Sequence, residues 1–256
     1  LSLGTTWNAA PEWQFNANLS SNERAPRAHE LYANGEDLAA NTRQSGDPDL
    51  GKESSANVDL GLAWKRGAHR ASVQLFQHRF SNYISLEGTD LSATPPQYTY
   101  TQVQARFIGF EAQGNVRLSN ATAADARGQW DWSWRADMVR ADNTSTGQPL
   151  PRIAPFRIGG TLQWSRAAWS GRIGVDRYGS QDRVPEGQLA TEGYTLWSAG
   201  LGLRSRLGGN AALWYARLDN ATDTLAYSAS SILTQTVPGK VPLPGRSFKM
   251  GLQLTF

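Results

Sequence analysis

Residues 130–138 carry the sequence Trp130-Asp131-Trp132-Ser133-Trp134-Arg135-Ala136-Asp137-Met138, in which apolar and polar side chains alternate strictly. A period of two is typical of a β-strand, because successive side chains point to opposite faces of a sheet. The indoles would share one face and the charged groups the other. Charges in mid-strand are tolerable when their face contacts water and costly when it contacts lipid.

The same alternation recurs along the chain. Further runs occupy residues 13–20, 57–64, 108–117, 156–165 and 248–256. Each run has roughly the 9–11 residues that cross a bilayer as a tilted strand. Strands of soluble proteins are usually nearer 5–6 residues, so the pattern favours membrane-spanning strands.

The links between the runs alternate between short and long. Short turns are predicted near residues 8–11, 65–68, 166–168 and 207–210, with a longer one at 119–128. Long links are predicted at residues 21–52, 81–106, 142–155, 179–193 and 220–246. Short periplasmic turns and long extracellular loops are the pattern of outer-membrane barrels.

The fold prediction is therefore all-β: a transmembrane antiparallel β-barrel with about eleven strands in this chain. Bacterial single-chain barrels have even strand numbers, and an open sheet edge in lipid would leave backbone groups unpaired. We therefore expect the chain to be part of a larger wall. Residues 1–256 are predicted to belong to one barrel domain, with no second domain in the chain.

The composition excludes several classes of protein. Charged residues make up 18% of the chain, below the usual share of about 25%, whereas Trp, Tyr and Phe number 10, 8 and 8. With no cysteine there can be no disulfide scaffold or thiol chemistry. The net charge of +3 is too small to indicate nucleic-acid binding. A secreted, soluble all-β protein would fit the composition equally well.

Six motifs resemble those of TonB-dependent receptors, in the same order. The first contains Arg24-Ala25-Pro26 and Glu30-Leu31-Tyr32, similar to that family's "RAP…ELY" signature. The others lie at residues 46–55 ("G-D-P-D-L-G-K-E-S-S"), 80–84 ("F-S-N-Y-I"), 150–155 ("L-P-R-I-A-P"), 218–223 ("L-D-N-A-T-D") and 244–248 ("P-G-R-S-F"). The resemblance covers nearly the whole chain.

The resemblance implies a 22-stranded barrel around a plug, of which this chain would be the second half. The chain begins inside a predicted strand, so we expect the N-terminal part, with the plug, to be missing. Family membership implies the cell outer membrane, contact with its lipid, and energy from TonB-ExbB-ExbD through the absent plug. Terminal Phe256 fits the aromatic signal that the outer-membrane assembly machinery recognises.

The resemblance also implies that the ligand is a scarce nutrient, usually a small metal chelate such as a ferric siderophore. Arginine and aromatic side chains suit such anionic ligands through charge-assisted hydrogen bonds and stacking. The candidates are Arg24, Arg27, Tyr32 and Arg43 in the first long link, and Tyr98 and Tyr100 in the second. We expect no cofactor and no nucleic acid.

Zinc or another bare metal ion is the alternative within the family. His29 and Glu30 in the first long link are the predicted metal ligands, because histidine and carboxylates bind such ions. A solvated polar loop would carry the same residues. His78 is predicted on the polar face of its strand, either along the ligand path or as a hydrogen-bonded wall residue.

Catalysis has little support, because no nucleophile elbow, His-Glu-x-x-His motif or phosphate loop occurs. Two other classes remain open at this stage. A passive porin-like channel would share the barrel pattern, and a soluble β-sandwich would share the alternation.

Overall fold

The computed structural model describes residues 1–120 and 127–255, which form strands and short helices. In chain order the elements are β1 (Ser2–Ala10), β2 (Trp13–Arg24), α1 (Ala28–Tyr32), β3 (Asn34–Asp37), β4 (Thr42–Ser45), β5 (Glu53–Arg66), β6 (His69–Asp90), β7 (Gln97–Ser119), β8 (Gln129–Asn143), β9 (Arg157–Arg166), β10 (Trp169–Tyr178), β11 (Tyr194–Leu207), β12 (Asn210–Asp219), α2 (Leu233–Thr236) and β13 (Ser247–Thr255). Neither helix in these residues is long and apolar enough to cross a membrane.

Eleven strands form one antiparallel sheet in the order β1-β2-β5-β6-β7-β8-β9-β10-β11-β12-β13. The remaining pair, β3 and β4, forms a small hairpin in the link between β2 and β5, and β4 lies parallel to the start of β7. Within the described residues, β1 pairs only with β2 and β13 only with β12. The prediction of an all-β sheet of about eleven wall strands is confirmed, and the chain forms a partial, open barrel.

The four predicted short turns are confirmed. The turn between β11 and β12 consists of Gly208 and Gly209, with φ of 58° and 86°. Two successive residues of positive φ match the right-handed twist of a hairpin, and glycine takes that conformation without a steric penalty. The predicted turn at 119–128 lies partly outside the described residues, as does Phe256.

Four of the five long links are confirmed at the opposite end of the sheet, and the one predicted at 81–106 is wrong. There β6 continues to Asp90 and β7 begins at Gln97, so only residues 91–96 connect them. The pairing shifts register between Phe80 and Tyr83. A bulge of this kind interrupts the alternation without ending the hairpin, and the aromatic and threonine residues of 98–101 favour strands.

The register keeps the apolar side chains of all strands on one face. Leu3 lies opposite Leu19, which in turn lies opposite Val58. Many of these side chains are exposed; Leu3, for example, is 72% exposed. A one-residue slip would turn every apolar group to the opposite face, so the turns and the pattern specify the same register. This apolar outer face is the one that contacts lipid.

Aromatic residues concentrate on the outer face near the short turns. Trp7 stacks on Phe15 with ring centroids 5.6 Å apart, and Trp130 lies 6.4 Å from Trp164. The pairing also places these indoles on the outer face: Trp130, Trp132, Trp134, Trp164 and Trp169. A belt of this type anchors a barrel at the membrane interface.

The inner face is polar, and ion pairs connect its strands. Arg157 pairs with Asp137 on the neighbouring strand, whereas Arg135 of β8 reaches Asp176 of β10 at 2.7 Å. The second pair crosses β9 at Gly159, where a Cβ atom would lie 2.0 Å from the Asp176 carboxylate. A side chain at this position would displace the Asp176 carboxylate, so glycine leaves room for the ion pair to cross the intervening strand.

The described residues of the sheet form a small core, which lies on the inner face at the end with the long links. Ala105, Ala141 and Leu150 are buried there. The rings of Phe80 and Phe107 pack against them with centroids 5.4 Å apart. This cluster supports the extended β6–β7 hairpin where it projects beyond the membrane-spanning part of the wall.

Candidate functional site

Arg24 holds together the elements that carry the first long link. It ends β2, and its guanidinium donates hydrogen bonds to Glu30 of α1 at 2.8 Å and to Glu53 at the start of β5 at 3.1 Å. The Glu53 carboxylate also accepts a hydrogen bond from the backbone N–H of Ile84 on β6 at 3.0 Å. Arg24 and Glu53 together thus connect the short helix to three wall strands.

The local sequence explains why Glu30 enters this cluster. Arg27 is the N-cap of α1, and its backbone N–H donates to the Glu30 carboxylate at 2.7 Å, as in a capping box. Glu30 is only 7% exposed. Burial raises the pKa of Glu30, but the hydrogen bonds from Arg24 and from the Arg27 backbone outweigh it and leave that pKa below the ordinary 4.5. The pKa of Arg24 is raised by its hydrogen bonds to Glu30 and Glu53.

The predicted metal ligands His29 and Glu30 occupy different environments. Glu30 is bound to Arg24 through both oxygens, at 2.8 and 3.1 Å, whereas His29 is exposed. No group of three histidine, aspartate or glutamate side chains arranged for a metal occurs in the described part of the chain. Arg24 therefore occupies the Glu30 carboxylate but leaves the His29 imidazole unbound. Metal binding by this pair stays a prediction.

The two tyrosines predicted in the second long link lie instead on β7, which is a correction of their position. Tyr98 is 2% exposed, so it packs inside the loop region. Tyr100 is half-buried between α1 and β4: its ring lies 5.6 Å from that of His29, and its hydroxyl donates to Gln44 at 3.4 Å. Both tyrosines lie beyond the membrane-spanning segments, and burial raises the pKa of each phenol.

The remaining loop candidates are exposed. Arg27, Tyr32 and Arg43 all lie at the surface, and Tyr32 is 69% exposed. Among residues 1–120 and 127–255, no acidic side chain forms an ion pair with either arginine. The backbone bond from Gly46 to Ala33, at 2.6 Å, holds the link after β4 against the end of α1. Exposed guanidinium and phenol groups of this kind suit an anionic ligand.

His78 lies apart from this surface, on the inner wall. Its Nε2 is 3.1 Å from the carboxylate of Asp59 on β5, and it is paired in register with Asn57. The expectation that it lies on the polar face of its strand agrees with the pairing of β6, in which Ser72 and Gln74 share that face.

Arg152 also lies at the end of the sheet with the long links, although no sequence pattern predicted it as a site residue. This residue has a φ of +60°, which is unusual for a non-glycine residue, and its guanidinium donates to the carbonyl of Leu86 at 3.1 Å. Its positive charge lowers the pKa of Tyr83, Tyr98 and Tyr100, although burial dominates in each and raises it. The motif at residues 150–155 contains Arg152, but it indicates only the family resemblance and not the contacts of this side chain.

The first and last long links meet. The hydroxyl of Thr236 in α2 donates to the carbonyl of Ala40 at 2.7 Å, and the Asn41 amide donates to the Thr236 carbonyl at 3.2 Å. Ala40 and Thr236 are both buried, so this contact excludes solvent. The small hairpin β3–β4 is thereby fixed to α2.

A family model described as "TonB dependent receptor-like, beta-barrel" matches residues 2–221. The chain is 21% identical over 198 residues to the iron-regulated outer membrane virulence protein of Vibrio cholerae serotype O1, covering 73% of this chain and 30% of that protein. It is 27% identical over 148 residues to the ferrienterobactin receptor of Escherichia coli K12, covering 52% of this chain and 18% of that receptor.

Solved structures share the fold. The copper transporter OprC superposes with a TM-score of 0.83 at 19% identity, covering 100% of this chain and 39% of that one. A ferric enterobactin receptor mutant from Pseudomonas aeruginosa in complex with enterobactin gives a TM-score of 0.71 at 20% identity, covering 98% of this chain and 40% of that one. The chain thus spans well under half the length of the relatives it matches.

Proposed function

Because the chain belongs to the TonB-dependent receptor family, a family of outer-membrane receptors, we propose that it forms the C-terminal half of a receptor wall that imports a metal chelate. The substrate class is a ferric siderophore or a similar anionic chelate. The observation that carries this choice is the exposed surface of Arg27, Tyr32 and Arg43, whose guanidinium groups have no acidic partner in the described residues. The protein binds and transports, and it breaks no bond of its ligand.

The other half of the wall, the plug and the contact with TonB-ExbB-ExbD belong to residues outside these 256. Phe256 remains the proposed signal for the outer-membrane assembly machinery. The named relatives support an iron-related role, because two of the proteins it resembles are called an iron-regulated outer membrane protein and a ferrienterobactin receptor. A chelate suits this chain better than a bare metal ion, because the Glu30 carboxylate is already bound by Arg24.

The test uses the full-length receptor in detergent and measures its affinity for a ferric catecholate chelate. The double variant Arg27→Ala/Arg43→Ala should bind more weakly, since each charge-assisted hydrogen bond contributes about 1.5–3 kcal/mol. This corresponds to a loss of at least roughly tenfold in affinity. The matched control is Arg206→Ala, an exposed arginine near the opposite end of the wall, which should bind as the parent does.

Equal affinity of the double variant and the parent would contradict the proposed binding surface. Binding of zinc alone, lost in His29→Ala, would instead indicate a metal-ion receptor of the same family. A steady single-channel conductance without ligand would indicate a passive pore.

A further inference from the structure

The outer face carries arginines immediately beyond its apolar band. Ile108 of β7 lies opposite Gln77 and Arg140 in register. One step towards the long links on the same face, Arg79 lies opposite Arg106, which lies opposite Asp142. Arg79, Arg106 and Arg140 are therefore directed outwards from three adjacent strands, and all three are exposed.

Two of these arginines line a groove in the outer surface. The groove has a volume of about 540 Å³ and includes Arg79 and Arg106 together with the hydroxyl groups of Ser54, Ser81 and Thr144. Guanidinium and hydroxyl donors on one surface suit a phosphate, because arginine binds phosphate oxygens through parallel hydrogen bonds.

A second groove of about 500 Å³ adjoins the first on the side of the membrane centre. Apolar side chains line it, among them Leu3, Leu19 and Val58. Ser21, Ala56 and Arg79 line both grooves, so the two are continuous. A cationic groove above an apolar one, on a face that contacts lipid, matches a molecule with an anionic headgroup and an acyl chain.

The protein does not neutralise these arginines by itself. Asp142 pairs with Arg106 at 3.5 Å and with Arg183 at 2.6 Å, so a single carboxylate serves two guanidinium groups. Arg79 and Arg140 form no ion pair with an acidic residue in the ranges 1–120 and 127–255. Lipid-facing charges become tolerable only as they approach the interface, where headgroup phosphates can supply the missing negative charge.

We propose that the continuous outer groove on β1, β2, β5, β6 and β7 is a binding site for a phosphate-bearing lipid of the outer leaflet. Its phosphate binds Arg79 and Arg106, and an acyl chain lies along Leu19 and Val58. The site is on the opposite face of the sheet from the inner wall, and it does not depend on which nutrient the receptor imports.

The experiment measures binding of diphosphorylated lipid A to the full-length receptor in detergent by native mass spectrometry. Heat-modifiable gel migration confirms that each variant is folded. Arg79→Gln/Arg106→Gln should lose at least tenfold in affinity for this lipid. The matched control is Arg177→Gln. Arg177 is exposed on the same outer face, where it lies opposite Ile158, and it lines neither groove. This variant should bind lipid A as the parent does.

Ala56→Phe provides a variant that keeps both arginines. A phenyl ring at the junction of the grooves should also weaken lipid A binding at least tenfold, by obstructing the acyl chain. Undiminished lipid A binding by both the Gln double variant and Ala56→Phe would overturn the proposal. Competition by inorganic phosphate at concentrations similar to those of lipid A would also overturn it, because the site would then recognise a free anion.

Discussion

Replacing Arg24 by Met should release the first long link from the wall while leaving the barrel intact. Arg24 is 35% exposed in its side chain, whereas its partners Glu30 and Glu53 are 9% and 13% exposed. Methionine fills a similar volume but donates no hydrogen bond. Two largely buried carboxylates would then remain without their cation.

The cost follows from burial. Breaking a buried ion pair by removing one partner costs about 3–5 kcal/mol, because it leaves an uncompensated charge. Solvent reaches Arg24 and reduces this cost. We therefore expect the free energy of local opening of the link to fall by about 2–3 kcal/mol. That corresponds to a rise of roughly 30- to 150-fold in the population of the open link.

Amide hydrogen exchange of the full-length receptor measures that population. The reporters are the backbone N–H groups of Ala33, Gly46 and Asp47, which donate to carbonyls of α1 or its end. The control is Lys52→Ala, which removes a pair with Glu23 whose members are 64% and 57% exposed and which should change exchange very little. If exchange at the three reporters stays at the parent rate in Arg24→Met, the proposed role of Arg24 is refuted.

Three further predictions concern the same architecture. Pepsin cleavage of the link at residues 25–52 is measured at each pH relative to cleavage of an unfolded peptide of the same sequence, which removes the pH dependence of pepsin itself. This relative rate should rise as the pH falls below 4.5, because a lowered pKa of Glu30 gives stability that is lost on protonation, and Glu30→Gln should be cleaved readily with a weaker pH dependence. Gly159→Ala should displace the Arg135–Asp176 pair at a cost of about 1–3 kcal/mol, and so lower the unfolding temperature measured on heat-modifiable gels. Gly35→Ala is the control and should leave that temperature unchanged, because no atom lies within 4 Å of the added Cβ. Thr236→Val should cost about 1–2 kcal/mol by leaving the buried Ala40 carbonyl without its donor, and faster tryptic cleavage of residues 220–246 would report it.

The wall could be predicted from the sequence because each of its signals is local. In residues 130–138 the alternation specifies both the strand and the face that each side chain occupies. The short turn at 167–168 then sets the register of the β9–β10 hairpin, in which Trp164 lies opposite Gly171. Lipid on one face and water on the other leave few other arrangements.

The candidate site could be predicted only in part, because its contacts join residues far apart in the chain. The burial of Glu30 depends on Arg24 and on the position of Glu53. The "ELY" motif contains neither of these residues and so gives no sign of the contact. Tyr98 was placed in a loop because the register shift after Phe80 breaks the alternation that identifies a strand. Arg152 reaches the carbonyl of Leu86 across 66 positions, a distance over which periodicity carries no information.

The contact between Thr236 and Ala40 joins two links that lie 196 positions apart in the chain. A replacement of residues 220–246 by a segment of another length would remove the donor on which the β3–β4 hairpin depends. The two links therefore form a matched set, and new ligand preferences would have to arise by paired changes in both. Arg24 ties the first link to the wall strands as well. In this half of the wall, diversification of the mouth is therefore constrained both from loop to loop and from loop to barrel.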